Sequence, residues 1–113
     1  MSGISTHVLD LALGRPAAGV GVRLEREQHG TWQELARCAT DADGRIRSIL
    51  PTATLPHKGR YRLAFETGAY FRAQGSKCFH PYIEIVFEVM AESQNYHVPL
   101  LITPSSYSTY RGS

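Results

Sequence analysis

A chain of 113 residues, 42% hydrophobic and 19% charged, has the make-up of an ordinary globular domain and is long enough to fold without disulfide or metal staples. Its formal charge of +2 comes from arginines scattered along the sequence, which argues against a nucleic-acid footprint, and no apolar run approaches the length of a membrane span. A single domain over residues 1–113 is expected, undivided by linker, repeat or low-complexity tract, with neither a nucleic-acid nor a membrane partner.

The segment Met1 to His7 has no basic flank followed by an apolar core, so it does not read as a secretory signal, and a soluble cytoplasmic protein is expected. Period-two alternation then dominates. Val20, Val22 and Leu24 alternate with Gly21, Arg23 and Glu25, and Gly30 separates that strand from another around Trp32 to Ala39. Asp43-Gly44 marks a turn, because glycine accepts the positive φ that tight turns require. Tyr61, Leu63 and Phe65 form one face of a further strand. A short helix over Gly68 to Gln74 is expected, capped by Thr67 and ended by Gly75. Ile83, Ile85, Phe87 and Val89 alternate with Glu84 and Glu88, and residues 95–113 read as two short strands around a turn. Half-buried strands separated by turn signals predict an all-β fold, two antiparallel sheets packed face to face as a β-sandwich with one short helix. Cys38 and Cys78 stand apart with no Cys-x-x-Cys spacing and are expected to be reduced.

One strand departs from the half-wet pattern. Tyr96, Val98, Leu100 and Ile102 form a core face, yet the opposite face carries His97, Pro99, Leu101 and Thr103 instead of charges. A strand apolar on both sides needs a second cover, and in so short a chain another subunit is the expected one.

The sequence has no Gly-x-Ser-x-Gly elbow, phosphate loop, dinucleotide fingerprint or His-x-x-x-His pair. Asp41-Ala42-Asp43-Gly44 is a turn and not a calcium loop, since its glycine comes too early and no bidentate glutamate follows at the required distance. Glu84 and Glu88 read as a solvated outer face. His29, His57 and His80 adjoin Gly30, Pro56 and Pro81 and read as surface residues, whereas His7 and His97 fall within strands. Arg45 and Arg47 both follow the Asp-Gly turn, and either could present a guanidinium.

Four segments together resemble the 5-hydroxyisourate hydrolases, also called transthyretin-related proteins: Ser5-Thr6-His7-Val8-Leu9-Asp10, Thr40-Asp41-Ala42-Asp43-Gly44-Arg45, Tyr96-His97-Val98-Pro99-Leu100-Leu101 and Tyr110-Arg111-Gly112-Ser113, the last being the tetrapeptide on which that family's chains characteristically end. Asn95 and His80 depart from the commonest pattern, where histidine and an aromatic residue are expected. The resemblance implies a transthyretin-like sandwich that hydrolyses 5-hydroxyisourate in urate degradation, assembled as a homotetramer, a dimer of dimers with its active sites at the dimer–dimer interface. It further implies catalytic roles for His7, Arg45, His97 and Ser113, substrate binding by His7, Arg45, Tyr110 and Arg111, and no metal or cofactor, and it favours Arg45 over Arg47. These residue types suit the chemistry. Histidine titrates at about 6.5 and can take a proton from water near neutrality, and a permanently charged, forked arginine can hold a developing oxyanion. Which histidine is the base stays open. The competing implication is a small-molecule carrier, because transthyretin shares the fold and binds hormone in a comparable channel. For such a carrier the polar set His7, Arg45, His97 and Tyr110 would be poor lining.

Overall fold

The computed structural model describes residues 3–50 and 56–113. Met1 and Ser2, on which the reading of the N-terminal segment partly rests, lie outside the described residues. In chain order the elements are β1 (Gly3–Asp10), β2 (Arg15–Pro16), β3 (Gly21–Gln28), β4 (Thr31–Ala39), β5 (Arg45–Ile46), β6 (Gly59–Phe65), α1 (Thr67–Ala73), β7 (Ile83–Val89), β8 (Asn95–Ile102) and β9 (Tyr107–Thr109). One sheet runs β2-β1-β8-β9, with β5 also pairing along β1, and the other runs β4-β3-β6-β7. Their inner faces meet over a core that includes Ile4, Val8, Leu24, Leu63, Phe65, Leu100 and Ile102, all fully buried. This is the expected sandwich, and its period-two strands fall where the alternation places them. One pairing differs in direction: β1 and β8 run parallel, Ser5 opposite His97 and His7 opposite Pro99.

The turns explain how so short a chain closes. His29 and Gly30 both take positive φ, 53° and 78°, the geometry of a two-residue hairpin turn whose twist matches the strands it joins, β3 and β4. The helix begins one residue earlier than expected. Thr67 lies inside it, with its buried hydroxyl lacking a hydrogen-bond partner, and Glu66 occupies the cap position without a side-chain bond. The threonine is therefore a packed residue and not a cap. Gly75 does end the helix, at a φ of 76° and with its N–H donating to the Arg72 carbonyl.

The helix anchors the end of β1. Asp10 is fully buried, and its carboxylate accepts the N–H groups of Ala12 and Leu13 at 2.9 and 3.1 Å and the Tyr70 hydroxyl at 2.7 Å. A carboxylate out of water is tolerated only when so saturated. Cys38 and Cys78 are free thiols. Among the described residues no helix is long and apolar enough to cross a membrane.

Candidate active site

The outer face of the β1–β8 sheet gathers residues far apart in sequence by register alone. β5 lies antiparallel to β1 with Arg45 opposite His7, β8 lies parallel to it with His97 opposite Ser5, and beyond β8 the backbone of Gly112 bridges to His97. Alternation puts Ser5, His7, Arg45, Asn95 and His97 on this one face. Neighbouring strands are about 4.8 Å apart, so three strands and a tail bring two imidazoles, a guanidinium and a hydroxyl within side-chain reach.

The loop before Arg45 is built for rigidity. The Asp41 carboxylate accepts the N–H groups of Asp43 and Arg45, both at 2.9 Å, and the Arg45 bond in particular holds its pKa below the usual value. Gly44 follows at a φ of 74°, and its carbonyl accepts the Val8 N–H at 2.7 Å. A Cβ at Gly44 would overlap the Val8 carbonyl oxygen and lie 3.1 Å from the Ala17 nitrogen. Gly44→Ala is therefore expected to destabilise the fold by more than about 1–2 kcal/mol, read as a lowered urea midpoint, since both the left-handed backbone and the overlap penalise a side chain.

His97 is half-buried, and its Nδ1 lies 2.8 Å from the Ser5 hydroxyl. Burial, then the Arg45 charge and then His7 push its pKa below the ordinary histidine value of 6.5. The imidazole is thus neutral at physiological pH. His7 lies beside it on the same face, its Nε2 donating to the Asp43 carbonyl at 2.9 Å, which leaves Nδ1 as the ring nitrogen outside that contact.

A cleft of about 230 Å³ opens on this face, lined by Ser5, Arg45, Arg47, Asn95, His97 and Ser113 among others. Arg45, His97 and Ser113 therefore converge, while His7 stands at the margin, tied to the Asp43 carbonyl. Tyr110 and Arg111 lie elsewhere. They line a second groove of about 390 Å³, between β7 and the tail, which shares His97 with the cleft. The Arg111 guanidinium sits 4.7 Å from the centre of the Tyr96 ring and donates to Gln94 Oε1 at 3.0 Å, so it pins the tail, while Tyr110 is 60% exposed. Thr109 adds a hydroxyl bond to the Pro99 carbonyl at 2.7 Å.

Ser5 and Asn95 line the cleft without having been singled out for it, and Arg47, weighed against Arg45, lines it too. Ser5 and Asn95 each stand two residues from a selected one, His7 and His97, and in a strand that spacing means the same face, whereas Arg47 lies just past the end of β5. Both Arg45 and Arg47 border the cleft. Of the other histidines, His29 and His57 are exposed as expected, but His80 is half-buried, edge-on to Phe79 and Tyr107 at ring distances of 4.9 and 5.3 Å. Glu84 and Glu88 are exposed on β7, and Glu84 lies 3.7 Å from Arg62. Among the described residues no three histidine, cysteine, aspartate or glutamate side chains group so as to hold a metal ion.

Residues 4–112 match the model of a family described as HIUase/Transthyretin. The chain is 47% identical to the 5-hydroxyisourate hydrolase of Caulobacter vibrioides over 100% of both sequences. The solved structure of Klebsiella pneumoniae 5-hydroxyisourate hydrolase superposes with a TM-score of 0.86 at 43% identity, covering 100% of this chain and 94% of that one. Sea bream transthyretin in complex with thyroxine superposes with a TM-score of 0.89 at 34% identity, covering 96% of this chain and 93% of that one.

Proposed function

The chain belongs to the HIUase/Transthyretin family, and from that premise we propose that it hydrolyses 5-hydroxyisourate to 2-oxo-4-hydroxy-4-carboxy-5-ureidoimidazoline, a step of urate degradation toward allantoin. The observation that carries the reading is a neutral, half-buried imidazole, His97, on one cleft with the Arg45 guanidinium and Ser113. Relatives of known activity, alike over their whole length, support it.

In this mechanism water enters beside a carbonyl carbon of the six-membered ring. As its oxygen bonds to that carbon, His97 Nε2 takes the departing proton, and the carbonyl electrons move onto oxygen facing Arg45. A charged donor in place before the reaction stabilises that oxyanion without reorganisation. When the intermediate collapses, the ring C–N bond breaks and the nitrogen takes up the proton held by the His97 imidazolium, leaving the base neutral again. His7 positions substrate and water from the margin, and Ser113 closes the cleft with its hydroxyl. Tyr110 and Arg111 line the second groove, which meets the cleft at His97, and bound the substrate from that side. No metal or cofactor enters this scheme. Residues 1–113 act as a single domain.

The assembly in this proposal is a homotetramer, a dimer of dimers, with the cleft at the dimer–dimer interface. Exposed Val86, Met90 and Tyr110 along the second groove are apolar surface of the kind that subunit contact removes from water. A cytoplasmic setting agrees with two free thiols.

The likeness to thyroxine-bound transthyretin makes a carrier the competing reading. A cleft bordered by two arginines and a histidine suits a small polar heterocycle better than a hydrophobic hormone. Freshly generated 5-hydroxyisourate, followed by its ultraviolet absorbance, should disappear faster with the protein than without it. Decay at the uncatalysed rate combined with tight thyroxine binding would establish the carrier instead.

A further inference from the structure

The His97 ring is held along both of its edges, and neither contact belongs to a residue with a part in the chemistry above. Nδ1 meets the Ser5 hydroxyl at 2.8 Å across the β1–β8 pairing. The opposite edge, Cδ2, lies against Gly112: a Cβ there would overlap Cδ2 and come within 3.2 Å of both His97 Cγ and Pro99 Cγ. Gly112 is not among the glycines with positive φ, so its want of a side chain is a matter of close approach and not of backbone conformation. Its N–H donates to the carbonyl of His97 itself at 2.8 Å, which fixes the tail against the residue it makes room for.

We propose that Ser5 and Gly112 are positioning residues that fix the ring flip of His97, so that Nε2 faces the cleft, and that Ser5 Oγ accepts the Nδ1 proton which a base at Nε2 requires. This rests on the reading of His97 as the base. A ring rotated by 180° would bring the carbon Cδ2 to the Ser5 hydroxyl and forfeit that hydrogen bond, so the serine selects one flip. With Nδ1 occupied by Ser5, no protein group among the described residues bonds Nε2. A base at Nε2 requires the neutral ring's proton on Nδ1, donated to Ser5 Oγ, and the same bond persists when Nε2 gains a proton in the reaction. The choice of a hydroxyl has a further consequence. A carboxylate in this place would orient the ring equally well but would raise its pKa, whereas serine orients it and adds no charge, leaving burial and Arg45 to keep it neutral. The charges that act on the ring are Arg45 from β5 and His7 from β1; Arg47 shares its cleft, Glu88, Tyr110 and Arg111 share the second groove, and none of them bonds Nδ1.

Nitrogen-15 resonances of the His97 side chain, recorded above its titration for the wild-type protein and the Ser5→Ala, Ser5→Thr and Gly112→Ala variants, test the proposal alongside kcat. The wild-type ring should carry its proton on Nδ1. Ser5→Ala should move it toward the Nε2-protonated form and lower kcat about 10- to 100-fold with little change in KM, the scale seen when a group that orients a functional histidine is removed. Ser5→Thr, which keeps the hydroxyl, should restore both. Ser5→Asp should instead carry the acid limb of the pH profile upward. Gly112→Ala should shift the ring resonances and lower kcat while the unfolding midpoint falls only modestly. An unchanged tautomer in Ser5→Ala overturns the proposal and leaves the hydrolase reading standing. A changed tautomer with unchanged kcat shows instead that His97 is not the base, and the positioning role falls with it.

Discussion

Replacing His97 by glutamine is expected to lower kcat for 5-hydroxyisourate by about 10²- to 10⁴-fold, the usual contribution of a positioned general base, with a smaller effect on KM. Glutamine keeps the bulk and hydrogen-bonding ends but cannot accept the proton, so a large loss isolates proton transfer from packing. The structural cost should be small, because the ring lies on the outer face of β8 and is only half-buried. Near-identical unfolding curves for variant and wild type would assign the loss to chemistry. Wild-type turnover in the variant would transfer the base's role to His7, whose Nδ1 is the ring nitrogen outside the Asp43 contact.

The second large effect belongs to Arg45. Arg45→Lys keeps a positive charge but loses the planar fork, and removing one well-aimed oxyanion donor costs about 10²- to 10³-fold in kcat. The fall should come with an electrostatic signature. Burial is the main cause of His97's depressed pKa and Arg45 the second, so Arg45→Ala removes one depressing influence. The acid limb of kcat/KM should then move toward higher pH, while in Arg45→Lys it should stay close to the wild-type position. Arg47, exposed on the same cleft, should matter less. Its removal is expected to raise KM more than it lowers kcat, and the effect should shrink in salt as screening weakens a solvated charge.

Much of this site was legible in the chain because strands report their faces. The alternation along β3, β7 and β8 is visible residue by residue, and the unusual second face of β8 marked His97 before any fold was known. The Asp43-Gly44 turn was equally plain, since positive φ narrows the choice of residue. Several features escaped for physical reasons. The Thr67 hydroxyl looked like a cap because local sequence cannot say whether a threonine points back to the helix start or into the core. The parallel pairing of β1 with β8 joins residues 92 apart, and no local propensity encodes that register. Ser5 and Gly112 escaped with it: a hydroxyl beside an imidazole and a glycine under it gain meaning only when distant strands meet. Resemblance to a family supplied the tail's importance, and geometry then divided that tail into a clamp, Arg111, and two residues at His97, Gly112 and Ser113.

The pH dependence of kcat/KM for the wild-type protein tests most directly whether a neutral imidazole at position 97, kept so by burial and by Arg45, removes the proton from water. Because this ring protonates at lower pH than an ordinary histidine, activity should persist below about pH 6.5 and fall along a single acid limb that His97→Gln abolishes. An acid limb at or above 6.5, or one that survives unchanged in His97→Gln, would contradict the assignment.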